Sequence, residues 1–345
     1  MAKIKNKKGR FAMKRKLTVL FFSALFTFAS LSMANGPVEA QPFTLKAVTA
    51  WPKTASEYKA FTIFTDLVDQ MVAKKYPGEL KIQYIGGPEA VKTPDQVPAL
   101  QRGMVDMVYT SGAYYTNVLP EIDSLKLTNY TPSEERAKGA WAYINDLHEK
   151  KLGIYYLARV GLDIKFHLYL KGKTIKSADL KGLNIRVSPL YLQAIKGLGG
   201  NPVVIPPTET YIALERNVVD GYGWPSVGIR DWGWQKQTQY VVDPGFYNVP
   251  NPLLLNLKIW NQLPQKLRDL LIEAGIEAEK RVVALFDNLA KKERPILLKE
   301  GIQVITLPPA ESEKFLKVAY DEAWKEVLEK NPVTGPKLKE LLTKK

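Results

Sequence analysis

Along this chain the hydrophobic and polar positions change period repeatedly, and Gly or Pro marks most of the changes. Residues 43–48 alternate and run into Thr49-Ala50-Trp51-Pro52, the pattern of a strand feeding a loop. Over 56–75 the apolar positions Phe61, Phe64, Leu67, Val68, Met71 and Val72 recur at helical spacing, and Tyr76-Pro77-Gly78 ends the run. Residues 80–85 predict a second strand and 97–102 a short helix closed by Gly103. A third strand, 105–109, opens into Thr110-Ser111-Gly112-Ala113-Tyr114-Tyr115. A helix over 137–150 and strands over 154–158 and 164–170 follow. Residues 183–225 then read strand, helix, strand, helix, strand, each apolar run bounded by Gly or Pro. Beyond Pro225, the Gly/Trp-rich run 228–234 is expected to be irregular and 253–257 to be a strand crossing back. Pro264 opens the longest helical stripe, from Leu267 through Leu289 to an expected break at Pro295. A strand (303–307), a helix (312–329) and a charged tail (337–345) complete the reading.

Alternating strands and helices give mostly parallel sheets covered by helices, with ligands gathered at the carboxyl ends of the strands. Two such lobes, joined by crossings near 160–166 and 250–254, imply a cleft between them. The expected division is 41–163 plus 252–290 for the first lobe and 164–251 plus 291–345 for the second, with the long helix spanning both.

The first forty residues read differently. A basic patch at Lys14-Arg15-Lys16 precedes a short apolar run over 17–28, and small-x-small sites end at Ala34 and Ala40. This is the layout of a secretory signal peptide. It also accounts for half of the formal charge of +14, because residues 1–40 carry eight Lys/Arg and one Glu. The remaining charges are interspersed, with no basic stripe, so nucleic acid is not an expected partner. The chain has no cysteine. That excludes disulfides, thiol catalysis, Cys-ligated metals and a lipidated cysteine after the signal peptide, and points to a periplasmic protein without a lipid anchor.

Catalytic chemistry is sparse. There are two histidines. His148, among the charges of a helix end, is expected on a solvated face. His167 sits in an alternating strand heading toward the cleft, as a ligand contact or a structural residue. No Gly-x-Ser-x-Gly elbow, His-Glu-x-x-His helix or phosphate loop occurs. Gly197-Leu198-Gly199-Gly200 follows a helix instead of preceding one, so it caps the helix and does not cradle phosphate. A secreted hydrolase or lyase would have to use Asp220 or Glu209. What the strand ends do offer is recognition chemistry. Arg186 stands in an apolar strand between Ile185 and Val187, where an unpaired guanidinium is costly. It needs a carboxylate, from an internal Asp or Glu or from a ligand, and its planar fork matches one with two parallel hydrogen bonds. Trp51, Tyr114 and Trp224 fall at strand ends facing loops, where aromatics line sites. Thr110 and Ser111 offer hydroxyls there, and Tyr222, two positions before Trp224, completes the set of candidate contacts.

Five stretches carry a resemblance. Residues 178–187 (ADLKGLNIRV), 198–203 (LGGNPV) and 210–221 (TYIALERNVVDG) resemble the central segments of the extracytoplasmic solute receptors of TRAP transporters, the DctP-like family. Residues 101–107 (QRGMVDM) resemble that family's earlier strand, and 259–264 (IWNQLP) the opening of its long helix. The resemblance spans about 43–315. It implies an α/β fold of the two-lobed periplasmic-binding-protein kind (type II-like) and a non-enzymatic receptor that closes on an organic anion. The receptor would then deliver its ligand to the membrane subunits of a sodium-driven TRAP permease, or present it to a membrane sensor kinase. The family's carboxylate-gripping arginine falls on Arg186. Trp224 looks like the branch binding 2-oxo or 2-hydroxy monocarboxylates, in which a neighbouring Glu holds a metal. Here that neighbour is Gly223, so no metal and no cofactor are expected. The second arginine of sialic-acid-type receptors has no counterpart between Arg159 and Arg186. The expected ligand is therefore a small keto or hydroxy acid, or an acid with an aromatic body.

Overall fold

The computed structural model describes residues 42–161 and 164–344. The expected signal peptide and two residues of the first crossover lie outside the described residues. Eleven strands make two sheets among the described residues. In the first, β1 (Phe43–Thr49) lies parallel to β2 (Leu80–Gly86) and β3 (Met107–Tyr109). β4 (Ile154–Arg159) forms the far edge, reached through the antiparallel β10 (Pro252–Asn256), and the order is β2-β1-β3-β10-β4. In the second, β6 (Asn184–Val187) runs parallel to β7 (Asn201–Val204) and β8 (Gly221–Pro225). β5 (Lys165–Leu170) pairs antiparallel with β8 and with β9 (Tyr240–Asn248), and β11 (Gln303–Thr306) closes the edge to give β11-β9-β5-β8-β6-β7. Both sheets are mixed because a strand entering from the other lobe, β10 in one and β5 in the other, runs against its neighbours.

Helices cover both sheets: α1 (Tyr58–Lys75), α2 (Gln96–Gln101), α3 (Pro132–Ala137) and α4 (Ala140–Leu152) with the first, α5 (Leu192–Gly197) and α6 (Pro207–Glu215) with the second. α1 buries Phe61, Phe64, Leu67, Val68 and Val72, the stripe its spacing predicts. α7 (Leu257–Gln262) starts at Asn256, whose side chain accepts from the N–H groups of Lys258 and Ile259. α8 (Gln265–Lys299) packs on α1 and β4 at its start and buries Leu297 in the core of the second lobe at its end. It spans both lobes as expected, but it passes through Pro295 without stopping. The burial of Leu297 on the far side holds the last turn in place. α9 (Pro309–Lys330) packs on α5, and α10 (Gly335–Leu342) follows. Most of the stretch read as a charged tail, 337–345, therefore belongs to this helix, which buries Leu338 and Leu342 on the 120–127 segment.

Two more corrections concern pattern reading. β9 went unread because Pro244-Gly245 interrupts its apolar run, and its pairing with β5 shifts register twice. His148 is not solvated. It is fully buried under β4, its Nε2 is 3.0 Å from the Tyr115 hydroxyl, and its Nδ1 is 2.7 Å from the Ile144 carbonyl. Burial pushes its pKa down to about 4, so the ring is neutral.

Candidate functional site

β6 ends at Val187, and Arg186 projects from it, 1% exposed, into the space between the sheets. The guanidinium is held from behind. Nε donates to the Ile205 carbonyl at 2.8 Å, and Nη1 donates to the Tyr191 hydroxyl at 2.9 Å. That hydroxyl donates in turn to the Gly223 carbonyl at 2.6 Å. Nη2 is buried and has no hydrogen-bond partner. Among the described residues no carboxylate oxygen lies within 4.0 Å of this cation. Of the two partners the sequence left open for Arg186, the internal one is absent from its surroundings. The rings of Trp224 and Trp234 lie 5.6 and 5.8 Å from Cζ and supply a π-face.

Arg186 lines a tight cavity of about 30 Å³, water-sized as it stands. Trp51, Glu57, Ser111 and Tyr114 form the wall from the first lobe, and Phe166, Ser188, Tyr191 and Trp224 the wall from the second. A roomier space of about 280 Å³, lined by Arg186, Tyr114 and Ser188 together with Pro94, Asn117 and Pro206, adjoins it. The lobes touch beside the cavity, where the Ser56 N–H donates to Asp231 at 2.7 Å. Buried polar atoms without partners concentrate here: Arg186 Nη2, Trp224 Nε1, Asn251 Oδ1 and Glu57 Oε2 all belong to lining residues. A buried unpaired polar group costs roughly 1–3 kcal/mol, and four of them belong to the lining of this one cavity.

Of the predicted contacts, Arg186, Trp224, Trp51, Ser111 and Tyr114 meet at this cavity. The Ser111 hydroxyl is already engaged, accepting from the Ala113 N–H. Thr110 stands one position behind the wall, buried, its backbone N–H on the Pro252 carbonyl. Tyr222 and His167 do not reach the cavity. Tyr222 is two residues deeper on β8 than Trp224, so it shares that residue's face but stacks on Tyr169 and binds Thr238 at 2.7 Å inside the second core. His167 turns along the sheet toward β9, with Nδ1 3.1 Å from both the Val242 carbonyl and Asp243. Sequence reasoning missed Glu57 and Tyr191. A carboxyl just before a helix and a tyrosine after Pro189 carry no periodic mark that separates them from surface and core residues.

Gly223 has a structural reason. A Cβ there would meet Cε2 of Tyr191 at 2.5 Å, so the ring that steadies Arg186 occupies the room a side chain would need. Among the described residues no group of three or more His, Cys, Asp or Glu is placed to hold a metal ion.

The pattern of the bacterial extracellular solute-binding proteins, family 7 (DctP), matches residues 47–331, and the chain belongs to that family. A Nostoc protein described as a monocarboxylate 2-oxoacid-binding periplasmic protein is 27% identical over 80% of this chain and 77% of its own length. A Bordetella bronchiseptica TRAP transporter solute-binding protein, solved with calcium and picolinate, superposes with a TM-score of 0.77 at 24% identity, over 87% of this chain and 92% of that one. A Bordetella pertussis extracytoplasmic solute receptor binding pyroglutamic acid superposes with a TM-score of 0.76 at 18% identity, over 87% and 99%. The chain is thus a solute-binding receptor and not an enzyme. No helix among the described residues is long and apolar enough to cross a membrane.

Proposed function

We propose that this receptor captures a small organic monocarboxylate through a bidentate ion pair with Arg186 and delivers it to the membrane subunits of a sodium-driven TRAP permease. The ligand is a 2-oxo or 2-hydroxy acid, or an acid with an aromatic body. One observation carries the reading: a buried guanidinium on the cavity wall is fixed on two of its nitrogens, its third has no partner, and among the described residues no anion lies beside it. A carboxylate seated there removes the cost of the unpaired cation, and exclusion of water on closure strengthens the pair. Trp224 and Trp51 flank the cavity and suit an apolar or planar body. The 2-oxoacid-binding Nostoc relative and the picolinate-bound Bordetella structure are consistent with both arms of that ligand class. The protein is proposed to be exported through residues 1–40 and to work unanchored in the periplasm, since it has no cysteine to lipidate.

A thermal-shift panel of keto, hydroxy, dicarboxylic and aromatic acids identifies the ligand, because a ligand that binds only the folded state raises the melting temperature. Arg186→Ala is then expected to cost about 3–5 kcal/mol of binding by calorimetry, as when one partner of a buried charge pair is removed. A loss of less than tenfold would retire Arg186 as the anchor.

A further inference from the structure

Across the cavity from the β6 wall stands Glu57, the residue just before α1. Its side chain is buried, and Oε2 has no hydrogen-bond partner. The surroundings are unusual for an acid. Gly228, at φ +106°, lies where a Cβ would meet Trp224 Nε1 at 3.2 Å, Asp231 Oδ2 at 3.5 Å and Glu57 Oε1 at 3.6 Å. Polar atoms of both lobes therefore converge on one glycine. The same glycine's N–H donates to Glu293 at 3.1 Å, so a third carboxyl joins the group. Asp231 already holds the Ser56 N–H. Glu57 of the first lobe thus lies near Asp231 and Glu293 of the second.

The charged and titratable groups around Glu57 are these two acids, the Tyr109 and Tyr114 phenols of its own lobe, Lys59 one step into α1, and Arg186 on the same cavity. Lys59 is exposed and acts weakly. Burial is the largest influence, and the neighbouring acids add to it. Together they outweigh Lys59 and the residue's own backbone N–H and raise the Glu57 pKa to about 8.

We propose that Glu57 enters the closed cleft as a neutral carboxylic acid and donates a hydrogen bond to an uncharged oxygen next to the ligand carboxylate. The receptor thereby selects acids with a 2-oxo or 2-hydroxyl oxygen over those with an ammonium. This rests on Arg186 holding the carboxylate, and it assigns the second half of the recognition. The proton is taken up from solvent as the lobes close. The sign follows from the direction of the shift: the closed form holds the proton more tightly than an open, hydrated Glu57, so affinity is greatest at low pH and declines as pH rises toward 8. Where the proton is fully coupled to closure, the decline approaches roughly tenfold per pH unit. An ionised Glu57 would instead prefer an ammonium and take up no proton.

A series with one carbon skeleton separates these cases: 2-oxoisovalerate, 2-hydroxyisovalerate, isovalerate and valine, titrated calorimetrically between pH 5.5 and 8.5. Buffers of different ionisation enthalpy count the protons. The expected order places the oxo and hydroxy acids above isovalerate and valine last, with up to one proton taken up on binding the oxo acid. Glu57→Gln, which keeps a donor without titrating, is expected to flatten the pH profile and abolish proton uptake. Glu57→Ala is expected to bring the oxo acid down to the isovalerate level. Valine binding as tightly as the oxo acid, or an unchanged profile in Glu57→Gln, overturns the assignment while leaving Arg186 in place. Failure of all four acids to bind overturns the small-acid reading and this assignment with it.

Discussion

Tyr191 shows how much of the site depends on one hydroxyl group. It accepts from Arg186, donates to the Gly223 carbonyl, and its ring fills the space above Gly223. The arginine is thus aimed by a neutral relay instead of a carboxylate. A carboxylate would have satisfied the charge internally and removed its value for an anionic guest. Tyr191→Phe keeps the ring and removes the relay, which leaves a guanidinium N–H and a buried carbonyl without partners. Affinity for the best-binding acid is expected to fall by roughly 1–3 kcal/mol, measured by calorimetry, and a variant with wild-type affinity would show that the relay is dispensable. That Arg186 stands in a buried apolar strand was legible from sequence. The missing internal anion was not, since that depends on which distant side chains approach it.

At the scale of elements, α4 illustrates a pattern that deceives. Its last turns carry Asp146, Glu149, Lys150 and Lys151, so His148 reads as one more solvated residue. The helix nevertheless presents His148 inward with Ile144 and Leu152, and the ring packs 4.9 Å from Tyr156. Its pKa is depressed from an ordinary 6.5 to about 4, so the neutral ring stabilises the fold above pH 6.5. That contribution drains away as pH falls from 6.5 to about 4, the window in which the unfolded chain holds a proton that the native state resists. Urea unfolding is expected to lose on the order of 3 kcal/mol over this window, and His148→Gln to lack that component. Parallel pH profiles for the two proteins would count against it. The start and apolar stripe of the long helix and the strand–helix alternation of 183–225 were read correctly, because their period is local. β9 and α10 were missed, because distant partners stabilise them.

For the whole molecule, the question is how the walls of the cavity are brought together. The chain leaves β4 at Arg159 and returns through residues 249–251, and the two crossovers touch at Gly161. A Cβ there would lie 2.8 Å from Arg159 Nη1 and 2.9 Å from the Val249 carbonyl. Arg159 cannot easily yield, since it is buried and paired with Glu135 at 2.8 Å. Gly161→Ala is therefore expected to separate the crossovers, lowering the melting temperature and weakening ligand-induced compaction in small-angle scattering. Unchanged melting and compaction would place the hinge elsewhere.

Periodicity, breakers and one out-of-place arginine were sufficient for the sequence to determine two α/β lobes, the strand that carries the anchor and the aromatic strand ends around it. Those features follow from local backbone preference and from the cost of burying charge, both readable within a few residues. Only the tertiary structure decided that no carboxylate among the described residues pairs with Arg186, that Tyr222 serves the core and His167 the contact between β5 and β9, and that Glu57 lies near Asp231 and Glu293. Each of these depends on side chains separated by tens to hundreds of positions, whose distances are set by the packing of the two lobes.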